Sequence, residues 1–168
     1  VGLPVFLSAT LGWSHQSVGT ALALWIIGYG IVQATAPSFL GLKTSNQRET
    51  HRRPVAGKIL GIWKAALFIP LAGITLALGQ NIAIEPVLIA GLIIFGIIFA
   101  ANSALHSFLV VDYAEKDSVA LSVGFYYMSN AAGRLLGTVL SGTLFESFGG
   151  ALPGLLACMT GAMAMVAL

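Results

Sequence analysis

Arg134 stands in the middle of a long apolar run, Asn130-Ala131-Ala132-Gly133-Arg134-Leu135-Leu136-Gly137-Thr138-Val139-Leu140-Ser141-Gly142. A guanidinium offers five donors in a planar fork that matches phosphate-like oxyanions. At the centre of a bilayer such a charge costs roughly 2.5–3.5 kcal/mol on insertion scales, so it normally faces a partner or a water-filled cavity. At 100° per residue, Tyr126, Asn130, Gly133, Arg134, Gly137 and Ser141 fall within about a 100° arc of one helix. Two further polar stripes have the same spacing. Asn102 and His106 share a face, as do Trp25, Tyr29 and Gln33. The candidate binding set is therefore Arg134, Asn130, Asn102, His106, Tyr126 and Gln33, with Arg134 taking an oxyanion and the others supplying hydrogen bonds. The competing reading makes Arg134 structural, paired with a carbonyl or carboxylate on another helix. No carboxylate of this chain falls at its depth.

The elements that must position these residues follow from composition. Of 168 residues, 57% are hydrophobic and 8% charged, with a mean hydropathy of +0.91. A soluble domain carries roughly 25% charged residues. So few charges cannot cover a water-facing surface, and the chain is expected to be an all-α membrane protein, because lipid forces backbone polar groups to bond internally. With about 20 apolar residues needed per crossing, the expected spans are 1–9 (partial), 18–40, 59–79, 86–111, 122–145 and 151–168 (partial). The chain opens and closes inside apolar runs and reads as a piece of a longer protein. Pro37 is expected to kink or end its span, and Pro86 to sit at a first helical position. Arg134 lies 11 residues from both Val123 and Phe145, about 16 Å at the helical rise, which places it near the midplane.

Orientation follows from the basic residues. The 41–58 connection holds Lys43, Arg48, Arg52, Arg53 and Lys58, the 112–121 connection holds Lys116, and the other three hold none. Both basic connections are therefore expected to be cytoplasmic, in a multi-pass membrane protein. Short connections make sequential helices expected antiparallel neighbours. The polar stripes fall on the first, third and fourth complete spans, so the second and last are expected to be lipid-facing scaffold.

Plainer readings accompany each motif. Gly133 and Gly137 form a small-xxx-small pair suited to close helix packing. His106 with Asn102 suits either substrate contact or an interhelical hydrogen bond. Tyr126 and Tyr127 fit an interfacial belt, and Trp25, Tyr29 and Gln33 fit packing. Lys64 is placed to snorkel, and Asp112, Glu115 and Asp117 read as solvated loop charges. Cys158 is the single cysteine and cannot form an internal disulfide. There is no phosphate-cradling G-x-x-x-x-G-K-[ST], Gly28-x-Gly30 lacks a preceding strand, and no Cys/His cluster has metal spacing. No cofactor, metal or nucleic acid is therefore expected, and no enzymatic activity. A membrane enzyme using His106 with Asp112 is disfavoured by the place of Asp112 at a helix end.

Span order, the basic loop and the glycine-rich penultimate helix resemble the C-terminal six-helix bundle of a twelve-helix major facilitator superfamily transporter, truncated at both ends. In that register a missing N-terminal six-helix half completes the cavity. A narrower similarity runs through Val1-Gly2-Leu3-Pro4-Val5-Phe6-Leu7, Leu11-Gly12-Trp13, Gly28-Tyr29-Gly30-Ile31-Val32-Gln33, Asn102 to Ser107, and Val123-Gly124-Phe125-Tyr126-Tyr127-Met128 running into Asn130 to Gly137. These segments resemble the organoarsenical efflux permeases called ArsJ. The resemblance implies export of 1-arseno-3-phosphoglycerate by alternating access, arsenate resistance, and a functional link to a glyceraldehyde-3-phosphate dehydrogenase. The alternative is a major facilitator exporter of a drug or sugar, with Arg134 structural. No Asp or Glu lies deep in a span, which leaves His106 as the titratable group near neutral pH.

Overall fold

The computed structural model describes residues 2–40, 49–114 and 119–167. Lys43, Arg48, Glu115, Lys116 and Asp117 lie outside the described residues, as do the side chains of Arg52, Arg53, Lys58, Asp112 and Tyr113. The described backbone forms six helices: α1 (Gly2–Ala9), α2 (His15–Phe39), α3 (Glu49–Gly79), α4 (Ile84–Tyr113), α5 (Val119–Ser147) and α6 (Ala151–Ala167). Three of them contain stretches long and apolar enough to cross a membrane, His15–Phe39, Gly61–Gly79 and Ile84–Val111. The chain is thus an all-helical membrane protein. With 29 residues α5 is also long enough, but Arg134, Asn130 and its serines and glycines make it less apolar than those three.

Each expected span overlaps one observed helix, and the differences sit at their ends. Helix α2 starts at His15 rather than Val18 because Ser14, with extended backbone at φ −64° and ψ 151°, caps it: its Oγ accepts the Ser17 N–H at 3.0 Å. Helix α3 begins at Glu49, ten residues before the expected span, so the second half of the basic connection is helical. Hydropathy locates bilayer depth, not helix ends, and charged residues are good helix formers in water. Pro37 occupies the last turn of α2. Pro86 is the third helical residue of α4 rather than the first, still within the turn whose N–H groups lack helical partners.

Adjacency in sequence predicts only part of the packing. Helix α4 touches α2, α3 and α5, and α6 touches α1, α3 and α5, whereas α2 and α3 make no contact among the described residues. The expected α2–α3 neighbour pair is therefore replaced by α2–α4. Helix α6 packs against three neighbours with Gly154, Leu155 and Met159 buried, while Met165 stands exposed. Close approach is needed where α5 turns into α6. Gly149 and Gly150 take positive φ, and the Gly150 N–H bonds the Phe145 carbonyl at 2.8 Å. A Cβ at Gly154 would lie 2.5 Å from that same carbonyl oxygen.

The core gathers toward one end of the bundle. Phe6, Leu78, Leu88 and Leu155 are almost fully buried and pack with Leu7, Val18, Phe145 and Met159. These come from the α1 end, the α3–α4 turn and the α5–α6 turn, opposite the basic connection. Trp13 ties that end across the fold, its indole donating to Glu85 Oε1 at 3.0 Å. Elsewhere large apolar side chains such as Leu24, Ile27, Ile69 and Leu135 stand exposed, a state that costs little where the solvent is hydrocarbon.

Candidate functional site

The α2 stripe meets α4 along a seam. Trp25 Nε1 donates to the Leu92 carbonyl at 2.9 Å, and the indole occupies the space that a Cβ at Gly96 would need. Next along the seam, Trp25 stacks on Tyr29 with centroids 5.9 Å apart, Tyr29 meets Phe99 at 5.8 Å, and Phe99 stacks on Phe95 at 5.6 Å. One turn further, Gln33 Nε2 donates to Ser103 Oγ at 3.3 Å.

From Ser103 the polar contacts continue to α5. Ser107 Oγ donates to the Ser103 carbonyl at 2.9 Å, the usual disposal of a helical serine proton. The Ser107–Tyr126 hydroxyl pair is 3.0 Å apart, and with the Ser107 proton engaged, Tyr126 is its donor. Gln33, Ser103, Ser107 and Tyr126 thus form a polar chain across α2, α4 and α5. It lies in the half of the bundle nearer the basic connection, since Tyr126 is seven residues, about 10 Å, from the start of α5.

Arg134 stands apart from this chain. It lies 15 residues from Val119 and 13 from Ser147, in the middle of α5. Every residue from 127 to 140 is exposed. The Arg134 guanidinium has no ion pair and no hydrogen bond among the described residues; its carbonyl accepts from Thr138 Oγ1 at 2.8 Å. Asn130 is exposed beside it. The expected stripe on α5 therefore divides: Tyr126 turns into the α4 contact, while Asn130 and Arg134 face open space, about 12 Å further along the axis for Arg134. Gly133 and Gly137 share that openness, with nothing within 4 Å of either Cβ position. They pack against no helix among the described residues, contrary to expectation. The glycines that admit a neighbour closely are Gly2, Gly91, Gly96, Gly154 and Gly161.

Asn102 is 8% exposed and His106 half-buried, and neither side chain makes a hydrogen bond among the described residues. Of the six expected site residues, the structure links Gln33 and Tyr126 through two serines, leaves Asn130 and Arg134 open, and sets Asn102 and His106 in the packed part of α4. Sequence reading missed Ser103, Ser107 and Phe99. The i, i+4 spacing of Phe95, Phe99, Ser103 and Ser107 is the available signal.

A cavity of about 660 Å³ lies between α1, α2 and α4. Its walls include Leu3, Leu7, Trp13, Leu22, Trp25 and Leu88 and are almost wholly apolar. None of the six expected site residues lines it. No group of three metal-ligating side chains occurs among the described residues. Comparison of the chain with protein-family models, with curated proteins and with solved structures finds no match.

Proposed function

We propose that this chain is the C-terminal six-helix half of a major facilitator secondary transporter, and that the transporter exports an anionic organoarsenical of the 1-arseno-3-phosphoglycerate kind by alternating access. The observation that carries the reading is Arg134. A guanidinium sits at the middle of a 29-residue helix, exposed, with no counter-ion among the described residues and with Asn130 and the bare Gly133 and Gly137 beside it. A charge so placed in a membrane protein needs a negative partner or water, and a polyanionic cargo is one that comes and goes. The missing N-terminal half would close the open side of α5, with the two halves rocking about a central site. The membrane is a bacterial inner membrane, with connections 41–58 and 112–121 in the cytoplasm. A companion glyceraldehyde-3-phosphate dehydrogenase supplies the cargo from arsenate.

The test is expression of the full-length protein with that dehydrogenase in an arsenate-sensitive host. Arg134→Ala abolishes arsenate tolerance at unchanged membrane level, while Arg134→Lys retains part of it. Tolerance unaffected by Arg134→Ala refutes the binding role. A second reading, export of a lipophilic drug with Arg134 structural, is favoured by the apolar cavity between α1, α2 and α4, which offers a polyanion almost nothing. Under that reading, drug tolerance responds to changes at Trp25 and Leu22, and arsenate tolerance does not respond to Arg134.

A further inference from the structure

We infer that the cavity between α1, α2 and α4 is a binding site for one membrane lipid with an ammonium headgroup, phosphatidylethanolamine in kind, its acyl chain between α2 and α4 and its headgroup at Glu85. The walls select an apolar occupant. Trp13, Trp25 and Tyr29 bring the polar side-chain atoms to the lining, and both indole N–H groups are already engaged, by Glu85 Oε1 and by the Leu92 carbonyl. The length matches one acyl chain. The lining runs from Ala21 to Val32 on α2 and from Leu88 to Ile97 on α4, about 14–16 Å at the helical rise, and one leaflet's share of the hydrocarbon core is about 15 Å. The lining is open on one side, where Leu24, Ile93 and Ile97 are each more than half exposed, so a chain enters from the bilayer.

The mouth selects the headgroup. Glu85 is exposed beside Trp13, which engages one of its two carboxylate oxygens. No lysine or arginine occurs in residues 1–42 or 65–115, the segments that build this end, and Glu146 adds a second carboxylate at the foot of α5. With histidine neutral, the formally charged side chains at this end are carboxylates. They attract an ammonium and repel a lipid of net negative charge.

The experiment places full-length protein in nanodiscs with tracer phosphatidylethanolamine or phosphatidylglycerol, each carrying a photoactivatable group on its acyl chain, and maps crosslinks by mass spectrometry. Peptides spanning 3–13, 21–32 and 88–97 are labelled about fivefold more by the ethanolamine lipid, the factor that one unit-charge contact at about 4 Å in water is worth. Glu85→Gln brings the two lipids to parity. Gly28→Leu, at a lining position with nothing within 4 Å of its Cβ, places a side chain inside the cavity and reduces the labelling by both. Equal labelling of the wild-type protein, or labelling undiminished by Gly28→Leu, overturns the proposal. Neither result bears on Arg134, so this inference and the transport reading fail separately.

Discussion

Gly96→Ala tests the α2–α4 seam most directly. A Cβ there would stand 2.8 Å from Trp25 Nε1, 2.9 Å from Cε2 and 3.0 Å from Cζ2. The indole must move, and it then loses its bond to the Leu92 carbonyl and its stack on Tyr29. Overpacking costs about 1–3 kcal/mol, the hydrogen bond about 1 kcal/mol, and the aromatic contact about 0.5–1.5 kcal/mol. Against this, alanine is a better helix former than glycine by about 1 kcal/mol. With partial relaxation the net loss falls near the low end of these costs less the propensity gain, about 2 kcal/mol. Equilibrium unfolding in mixed micelles measures it. Trp25→Phe removes the clashing atoms, so in that background Gly96→Ala becomes neutral or stabilising, and the double-mutant cycle shows a coupling of about 2 kcal/mol. Gly137→Ala, where nothing lies within 4 Å, is the control and shows the propensity gain alone. If Gly96→Ala costs the same with and without the indole, the groove is not what holds α2.

Tyr126→Phe removes the donor of the Ser107 contact and lowers stability by about 0.6–1 kcal/mol, with Ser107→Ala adding little more in the double mutant. Gly154→Ala drives a Cβ against the Phe145 carbonyl, a backbone atom that cannot rotate away, and costs more than about 2 kcal/mol in the same unfolding assay. Arg134→Ala leaves stability within about 0.5 kcal/mol, as expected of an exposed residue without a partner among the described residues, and a larger loss reveals a structural pairing. Cysteines introduced at Ser45 and Asp117 react with impermeant maleimide from one face of the membrane and a cysteine at Asn81 from the other, with Cys158 replaced by alanine in the background; labelling of all three from one face refutes the orientation.

The helices are legible in the sequence because apolar runs of bilayer length have few other folds available. Their ends are less so. The start of α3 at Glu49 is hidden by its charges, and the Ser14 cap of α2 by the polar residues around it. The seam is half legible. The Trp25, Tyr29 and Gln33 stripe has helical spacing, but nothing in one sequence says that it docks on Phe99 and Ser103. Serines in apolar helices commonly bond their own backbone, as Ser107 does, so their residual capacity to accept from Tyr126 carries no signal. Glycine spacing misleads for a related reason: Gly133-xxx-Gly137 has the pattern of a packing pair, yet the indole goes to Gly96. Which glycine admits a neighbour is decided by the tertiary arrangement. The mid-helix position of Arg134 follows from counting residues, since rise per residue needs no tertiary knowledge.

The pairing of α2 with α4 in preference to α3 has a consequence for biogenesis. Trp25 and the carbonyl it needs are 67 residues apart in the chain. At a ribosomal speed of about 5–20 residues per second, α2 waits roughly 3–13 seconds for its partner to be made. During that interval Gln33, the Trp25 indole N–H and the Tyr29 ring face that meets Phe99 are turned to lipid or the insertion machinery. Helix α3, made in between, makes no contact with α2 among the described residues, so the newborn chain depends on whatever holds α2 at the translocon until α4 arrives.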